Sequence, residues 1–108
     1  MASGILGAVA PSATTLTAVY TVPASTLASV AITITERGGA AGTFRLALID
    51  SGGVGSVANG DYIAYGQALA ANTSASFGGI VLQAAAVVAV YCSSANMSAV
   101  VTGFESAV

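Results

Sequence analysis

The sequence is short of charge. Its 108 residues include two basic and four acidic side chains, and histidine and tryptophan are absent. Both basic residues are arginines, so lysine is absent too. Without histidine or lysine, the chain lacks the general base or amine of the common nucleophilic mechanisms. Two arginines do not neutralise a nucleic-acid backbone or hold a chain on an anionic membrane. These absences favour a protein that is not an enzyme and binds neither nucleic acid nor membrane.

Cysteine is almost absent as well. The single cysteine, Cys92, excludes an internal disulfide, and no group of residues has the spacing of a metal site. We interpret Cys92 as a buried apolar side chain on a strand. Asp50, Asn59 and Asp61 flank a glycine-rich loop and offer oxygen ligands to calcium, but turn capping is their favoured role. A catalytic carboxylate pair is disfavoured because few aromatic residues are available to line a sugar cleft. No metal or cofactor is therefore expected.

No apolar run is long enough to cross a membrane as a helix. The best candidate, residues 80–92, contains Gln83 and is shorter than the ~20 apolar residues that a spanning helix requires. Its valines favour a strand. The first residues lack the basic start of a signal peptide. Because so few charges would leave a free monomer poorly soluble, we expect partners to cover much of the surface and serine, threonine, asparagine and glycine to coat the rest.

Apolar and polar residues alternate with a period of two along much of the chain, which indicates half-buried strands. In residues 27–36, LASVAITITE, one face carries only Ala28, Val30, Ile32 and Ile34. The same pattern predicts strands at residues 15–22, with Leu16, Ala18, Tyr20 and Val22 inward, and at residues 43–49, with Phe44, Leu46 and Leu48 inward.

Glycine-rich stretches separate these segments. RGGAAG at residues 37–42 predicts a hairpin-type connection, and residues 51–61 predict a longer loop. FGG at residues 77–79 interrupts a strand and shifts its inward phase, which predicts a bulge or a bend. Buried strands are predicted at residues 74–82 and 86–93, paired through a tight turn at residues 83–85. Six to eight antiparallel strands at this spacing predict an all-β fold, a single-domain β-sandwich or jelly roll.

The N-terminal residues 1–14 are predicted to be an arm outside a β-sandwich domain of residues 15–108. Glycines, Pro11 and small residues surround the apolar pair Ile5 and Leu6. Such a segment cannot build a core alone but can fill a groove on a neighbouring subunit. Ile5 and Leu6 are therefore candidate contacts with a partner.

Four further residues are candidates for partner contacts. Arg37 and Arg45 are the only cations, and arginine is enriched at interfaces. The alternative is that each is a solvated charge on a strand face, loosely paired with Glu36 or Asp50. Tyr62 and Tyr65 either form an aromatic strand that binds a partner, or pack in the core and across strands.

The order of several segments resembles a known family. These segments are VYTVPAST at 19–26, TFRLALID at 43–50, DYIAYGQALAANTS at 61–74, IVLQAAAVVAVYCSSANMS at 80–98, and GFE at 103–105. As an ordered set they are similar to small β-sandwich virion proteins of tailed bacteriophages, including cyanophages. The chain departs from the pattern at residues 84–86, where it reads Ala-Ala-Ala and relatives often read Ala-Gly-Asp.

The resemblance implies a structural virion protein without catalytic residues. Members are capsid cement or decoration proteins, or parts of tails and fibres. The expected partners are the major capsid protein and further copies of the chain, and the expected location is the capsid surface after synthesis in the host cytoplasm. The alternatives are a tail or fibre component, and a receptor- or carbohydrate-binding module. The lack of tryptophan and histidine counts against sugar binding.

Overall fold

The computed structural model describes residues 3–107, and its regular structure is almost entirely β-strand. Two short 3-10 helices, Val54–Ser56 and Asn59–Asp61, lie in the long loop. The predicted all-β class and the predicted number of strands are confirmed. The strands are β1 Ser3–Val9, β2 Thr17–Thr21, β3 Thr26–Glu36, β4 Gly42–Ile49, β5 Tyr62–Leu69, β6 Ser74–Leu82, β7 Val87–Cys92 and β8 Met97–Ala107.

The strands form two antiparallel sheets with a nested order. Sheet A has the order β1-β8-β3-β6, and sheet B has the order β2-β7-β4-β5. The first strand pairs with the last, the second with the seventh, the third with the sixth, and the fourth with the fifth. This is the nesting of one long antiparallel ribbon wrapped into a two-sheet jelly roll. Within the described chain, only the connection from β4 to β5 stays in one sheet.

Two predicted hairpins are therefore wrong. Strands β3 and β4 lie in different sheets, so residues 37–41 cross the sandwich instead of closing a hairpin. Strands β6 and β7 also lie in different sheets, although the predicted turn between them is present. There the N–H of Ala85, at a φ of 70°, donates to the carbonyl of Val22. Alternation identifies the inward face of a strand, whereas its partner is selected by long-range packing.

The core lies between the two sheets. The four inward residues predicted on β3 are all buried, which confirms the alternation there. Phe44 of β4 is fully buried and meets Phe77 of β6 edge to face, with 6.0 Å between ring centroids. Residues from both sheets complete the core, including Leu46, Val88, Val90, Met97, Ala99 and Val101.

Strand β2 contains a bulge, and because of it two of its four predicted inward residues do not face the core. Tyr20 and Val22 are buried, as predicted. The register of β2 against β7 shifts between Ala18 and Tyr20, so the inward phase is not continuous. Ala18 is exposed, and Leu16 packs on the outer face of sheet B instead of in the core. An inserted residue reverses every side chain beyond it, and the sequence pattern gave no sign of this one.

Of the bulge or bend predicted at residues 77–79, the structure shows a bulge. Val30 lies opposite Ile80 and Ile32 lies opposite Phe77, so two β6 residues, Gly78 and Gly79, face the single residue Ala31. Gly79 has a φ of 70°, a conformation that glycine adopts without steric cost. The bulge lets Phe77 and Ile80 both pack against the core.

The predicted N-terminal arm is wrong for the described residues. Residues 3–9 form strand β1 at the edge of sheet A, and Leu6 packs against the core. A Cβ at Gly7 would collide with the carbonyl oxygen of Val19, so glycine allows β1 to cross close to β2. The small residues interpreted as a groove-filling arm instead fit a crowded sheet edge. Residues 1 and 2 of the predicted arm lie outside the described residues.

Candidate interaction surfaces

The surface of residues 3–107 has no pocket, and none of its helices is long and apolar enough to cross a membrane. In the same residues, no group of three or more His, Cys, Asp and Glu is placed to hold a metal ion. Asp61 accepts a hydrogen bond from the Ala58 N–H at 2.8 Å, which is the turn-capping role favoured from the sequence. Asp50 accepts a hydrogen bond from the Gln83 side chain. The candidate sites are therefore the outer faces of the two sheets.

Part of the outer face of sheet B is covered by the long loop. Ala47 and Ile49 of β4 and Val87 and Ala89 of β7 form a second buried cluster on this face. The loop of residues 50–61 lies over them and contributes the apolar contacts of Val54 and Val57. This explains why both faces of the middle of sheet B are apolar.

Next to this covered area lies an arginine held between tyrosine rings. Arg45 projects outward from β4, and the register places Tyr65 of β5 on one side of it and Tyr91 of β7 on the other. The guanidinium carbon is 4.2 Å from the ring centroid of Tyr65 and 4.3 Å from that of Tyr91. Tyr62 meets Tyr65 edge to face, at 5.0 Å between centroids. We call Arg45, Tyr62, Tyr65 and Tyr91 the Arg45 cluster.

The cluster fixes the arginine and leaves its donors available. Each stacking contact stabilises the guanidinium by about 0.5–1 kcal/mol at a partly exposed site. A tyrosine ring lies next to the group on each side, while within residues 3–107 its N–H groups form no hydrogen bond or ion pair. A side chain that is already ordered loses less entropy on binding. The guanidinium can therefore donate to a carboxylate or carbonyl of a partner at low cost.

A bulge also places both predicted tyrosines on this face. Tyr62 pairs with Ala47 but Ala64 pairs with Leu46, so Ile63 is the extra residue. Tyr62 and Tyr65 consequently both point outward, although they are three positions apart. Tyr91 was missed because the neighbouring residues of β7, VVAVYC, are all uncharged and give no sign of an outward position. The only available signal was its cross-strand pairing with Arg45, which the sequence does not show.

The other predicted contact residues lie elsewhere. Arg37 donates from Nη2 to the carbonyl oxygens of Ala95 and Met97, at 3.1 and 3.5 Å, so it holds the turn between β7 and β8. Leu6 packs against the core, and Ile5 projects from sheet A. The structure therefore brings together Arg45, Tyr62 and Tyr65, and separates Arg37, Ile5 and Leu6 from them.

The outer face of sheet A is uncovered. Between the ends of β3 it presents Leu27, Ser29, Ala31, Thr33 and Thr35, and the flanking strands add small or apolar residues. Four large apolar side chains are exposed on this face, and no charged side chain of the described residues projects from it between Leu27 and Thr35. The four are Ile5 (73% exposed), Val81 (63%), Phe104 (55%) and Leu27 (40%).

A carboxylate and a thiol are buried together at one end of the core. Glu36 is 1% exposed; its Oε1 accepts a hydrogen bond from the Gly38 N–H at 2.8 Å, and its Oε2 has no partner in the described structure. Glu36 is therefore not the surface partner for Arg37 or Arg45 that the sequence offered as an alternative. Cys92 is buried, as predicted. Burial raises the pKa of Cys92 from 9.0 to about 11, and the negative charge of Glu36 adds to the effect.

This shift predicts a loss of stability in alkaline solution. Below pH 9 the thiol is neutral in both states. Between pH 9 and about 11 the unfolded chain loses the Cys92 proton first, so the unfolding free energy falls as the pH rises. We expect urea unfolding to show a weaker slope against pH in Cys92→Ala than in the wild-type protein. Both proteins carry the same tyrosines, so tyrosine ionisation cancels in the comparison. Equal slopes between pH 9 and 10 would contradict the assignment.

Compared with known proteins, the chain matches no family model, and neither the curated proteins nor the solved structures give a significant match. The resemblance to phage virion proteins therefore stays a prediction. The arguments about function that follow rest on the surfaces themselves.

Proposed function

We propose that the protein is a structural virion component, a cement or decoration protein that binds the outside of a phage head between major capsid subunits. In this proposal it stabilises the shell by contact alone. The observation that carries the proposal is the Arg45 cluster. Tyrosine and arginine are enriched among the residues that dominate binding between proteins, and here three tyrosines surround one ordered arginine.

Two further features support a structural role. The chain has six charged side chains in 108 residues, which suits a protein whose surface is enclosed by neighbours. Two-sheet jelly rolls also occur in viral capsid domains, although they occur in lectins and cupins too, so the fold alone does not select the function. The choice of a phage head rests on the ordered segments of the sequence.

The shape of the surface favours a protein partner over a sugar or another small ligand. Small-molecule sites are usually concave, whereas the described surface has no pocket. The Arg45 cluster lies on a sheet, next to the loop of residues 50–61. A broad acceptor-bearing surface of a capsid subunit would contact the rings of Tyr62 and Tyr65 and receive hydrogen bonds from Arg45. Many copies on one shell would then add modest single contacts into stable binding.

The proposal is tested by co-sedimentation of the purified protein with capsid shells that lack it. Arg45→Ala should weaken binding about 30-fold, the effect of losing a dominant contact of about 2 kcal/mol. The affinity of Arg45→Lys should lie between that of the wild-type protein and that of Arg45→Ala, because lysine keeps the charge but loses the planar stacking. Arg37→Ala is the matched control: it removes the same charge, and Arg37 already donates to carbonyls within the chain.

Equal binding by Arg45→Ala and the wild-type protein would contradict the role of the cluster. Failure of the wild-type protein to bind any shell, together with binding on a glycan array, would replace the proposal with a carbohydrate-recognition module. Location at the tail in labelled particles would favour the tail or fibre alternative. If the proposal is correct, particles without the protein should release their genome at a lower temperature than complete particles.

A further inference from the structure

On the outer face of sheet A, each large exposed side chain has a small residue at the mirrored strand position of its cross-strand row. On the β1 and β8 side, Ile5 and Phe104 project from the sheet. In the same two rows, the β3 and β6 positions hold Ser29 and Val81 in one row, and Ala31 and the glycines of the bulge in the other. A Cβ placed on Gly79 would have no atom within 4 Å, so the space above the bulge is open.

The cross-strand register defines these rows. One row runs Ser3, Phe104, Ser29 and Val81 across the four strands. The next row runs Ile5, Thr102, Ala31 and then the bulge at Gly78 and Gly79. The proximity of the bulge to Ala31 is direct, because a Cβ on Gly78 would lie 4.0 Å from the Ala31 Cβ. A third row pairs Leu27 with Ser106.

We propose that this face binds the same face of a second copy of the chain. Consider a two-fold axis in the plane of the interface, parallel to the strands and between β8 and β3. Each row of one copy then lies against the same row of the second copy in reverse order, so that β1 faces β6 and β8 faces β3. Ile5 faces the open space at Gly78 and Gly79, and Phe104 faces Ser29. By the same operation Val81 faces Ser3, and Leu27 faces Ser106.

Every large exposed residue of the face thus opposes a small one of the partner copy, and no like charges meet. A two-fold interface has to be complementary to itself, and this arrangement satisfies that requirement. Two sheets packed face to face keep their strands within about 30° of each other, which the parallel axis allows.

The size of the face is sufficient for a modest dimer. Nine residues of β3 at about 3.3 Å each, and four strands at about 4.8 Å spacing, give a face of roughly 30 by 19 Å. Such a face covers on the order of 600 Å² per copy, so a pair buries about 1,200 Å², the lower end of specific interfaces. We therefore expect a dimer that forms in the micromolar range and dissociates on dilution. The inference does not depend on the capsid proposal, because the Arg45 cluster lies on the other sheet.

Sedimentation equilibrium of the full chain across micromolar concentrations tests the dimer. The wild-type protein should pass from one-chain to two-chain mass as its concentration rises. Phe104→Glu should remain a monomer, because it places a charge against Ser29 of the second copy. Gly78→Leu should raise the dissociation constant at least 10-fold by filling the space that receives Ile5. Gln67→Glu, an exposed position on β5 of sheet B, adds the same charge as Phe104→Glu and should leave the dimer unchanged.

A wild-type protein that is monomeric throughout would overturn the inference. A dimer that survives both Phe104→Glu and Gly78→Leu would overturn it too, and would indicate pairing through strand edges. Circular dichroism of each variant verifies the fold, since all three replaced residues are exposed. If Phe104→Glu abolishes shell binding while the wild-type protein is monomeric, the face belongs to the capsid contact and the dimer is excluded. Loss of shell binding in Arg45→Ala with an intact dimer would support both proposals separately.

Discussion

Replacing Gly103 by alanine is expected to cost at least about 4 kcal/mol of unfolding free energy, a size seen only for severe steric or core defects. Gly103 lies in β8, opposite Gly4 of β1 and Val30 of β3. A Cβ there would overlap the carbonyl oxygen of Ser29 and lie 2.8 Å from the Cα of Val30. These are backbone atoms of a central strand, so they cannot move without separating β8 from β3. The φ of 153° adds strain for any residue with a side chain.

Two glycines of the β6 bulge provide controls for this prediction. Gly79→Ala meets no atom within 4 Å but keeps a φ of 70°, so it should cost only the conformational strain, about 1–2 kcal/mol. Gly78→Ala has an ordinary backbone and one contact at 4.0 Å, so its stability should change by less than about 0.5 kcal/mol. Urea unfolding of the three variants measures the order of their stabilities. Equal stability of Gly103→Ala and Gly79→Ala would mean that β8 and β3 are not as close as described.

Phe44→Ala is expected to destabilise the domain by about 3–5 kcal/mol. Phe44 is fully buried between the sheets, and its ring packs edge to face with Phe77. Its removal leaves a cavity that the two sheets cannot close without shifting the whole β4 ladder. A domain of this size has a total stability of about 5–15 kcal/mol, so a large part would be lost.

The matched control is Phe104→Ala, which removes the same side chain from the surface. Phe104 is 55% exposed on the outer face of sheet A, so its loss should change the stability of the monomer by less than about 0.5 kcal/mol. Measurement at a concentration below that of the proposed dimer keeps association out of the comparison. A loss at Phe104 as large as that at Phe44 would mean that the outer face of sheet A is covered within the monomer.

The candidate sites show where sequence reasoning about function reached its limit. Arg45, Tyr62 and Tyr65 were predicted as candidate contact residues from their chemistry. Their assembly into one cluster depends on the bulge at Ile63 and on Tyr91, which joins from a strand 46 positions away from Arg45 in the chain. Arg37 has the same chemistry as Arg45 but is committed to carbonyls of Ala95 and Met97. The type of a residue indicates that it could contact a partner, whereas the register of neighbouring strands determines which such residues lie together on one surface.

The sequence by itself determined the all-β class, the strands β3, β4 and β6, the bulge at Gly78 and Gly79 and the burial of Cys92. These features follow from local alternation and from the backbone freedom of glycine, which need no knowledge of distant residues. Only the tertiary structure decided that residues 3–9 belong to sheet A, that β3 and β4 lie in different sheets, and which tyrosines meet Arg45. A period of two distinguishes the two faces of a strand but carries no information about its neighbour. The neighbour is fixed by pairings between residues far apart in the chain, which form only when the whole ribbon wraps and buries both sheets at once.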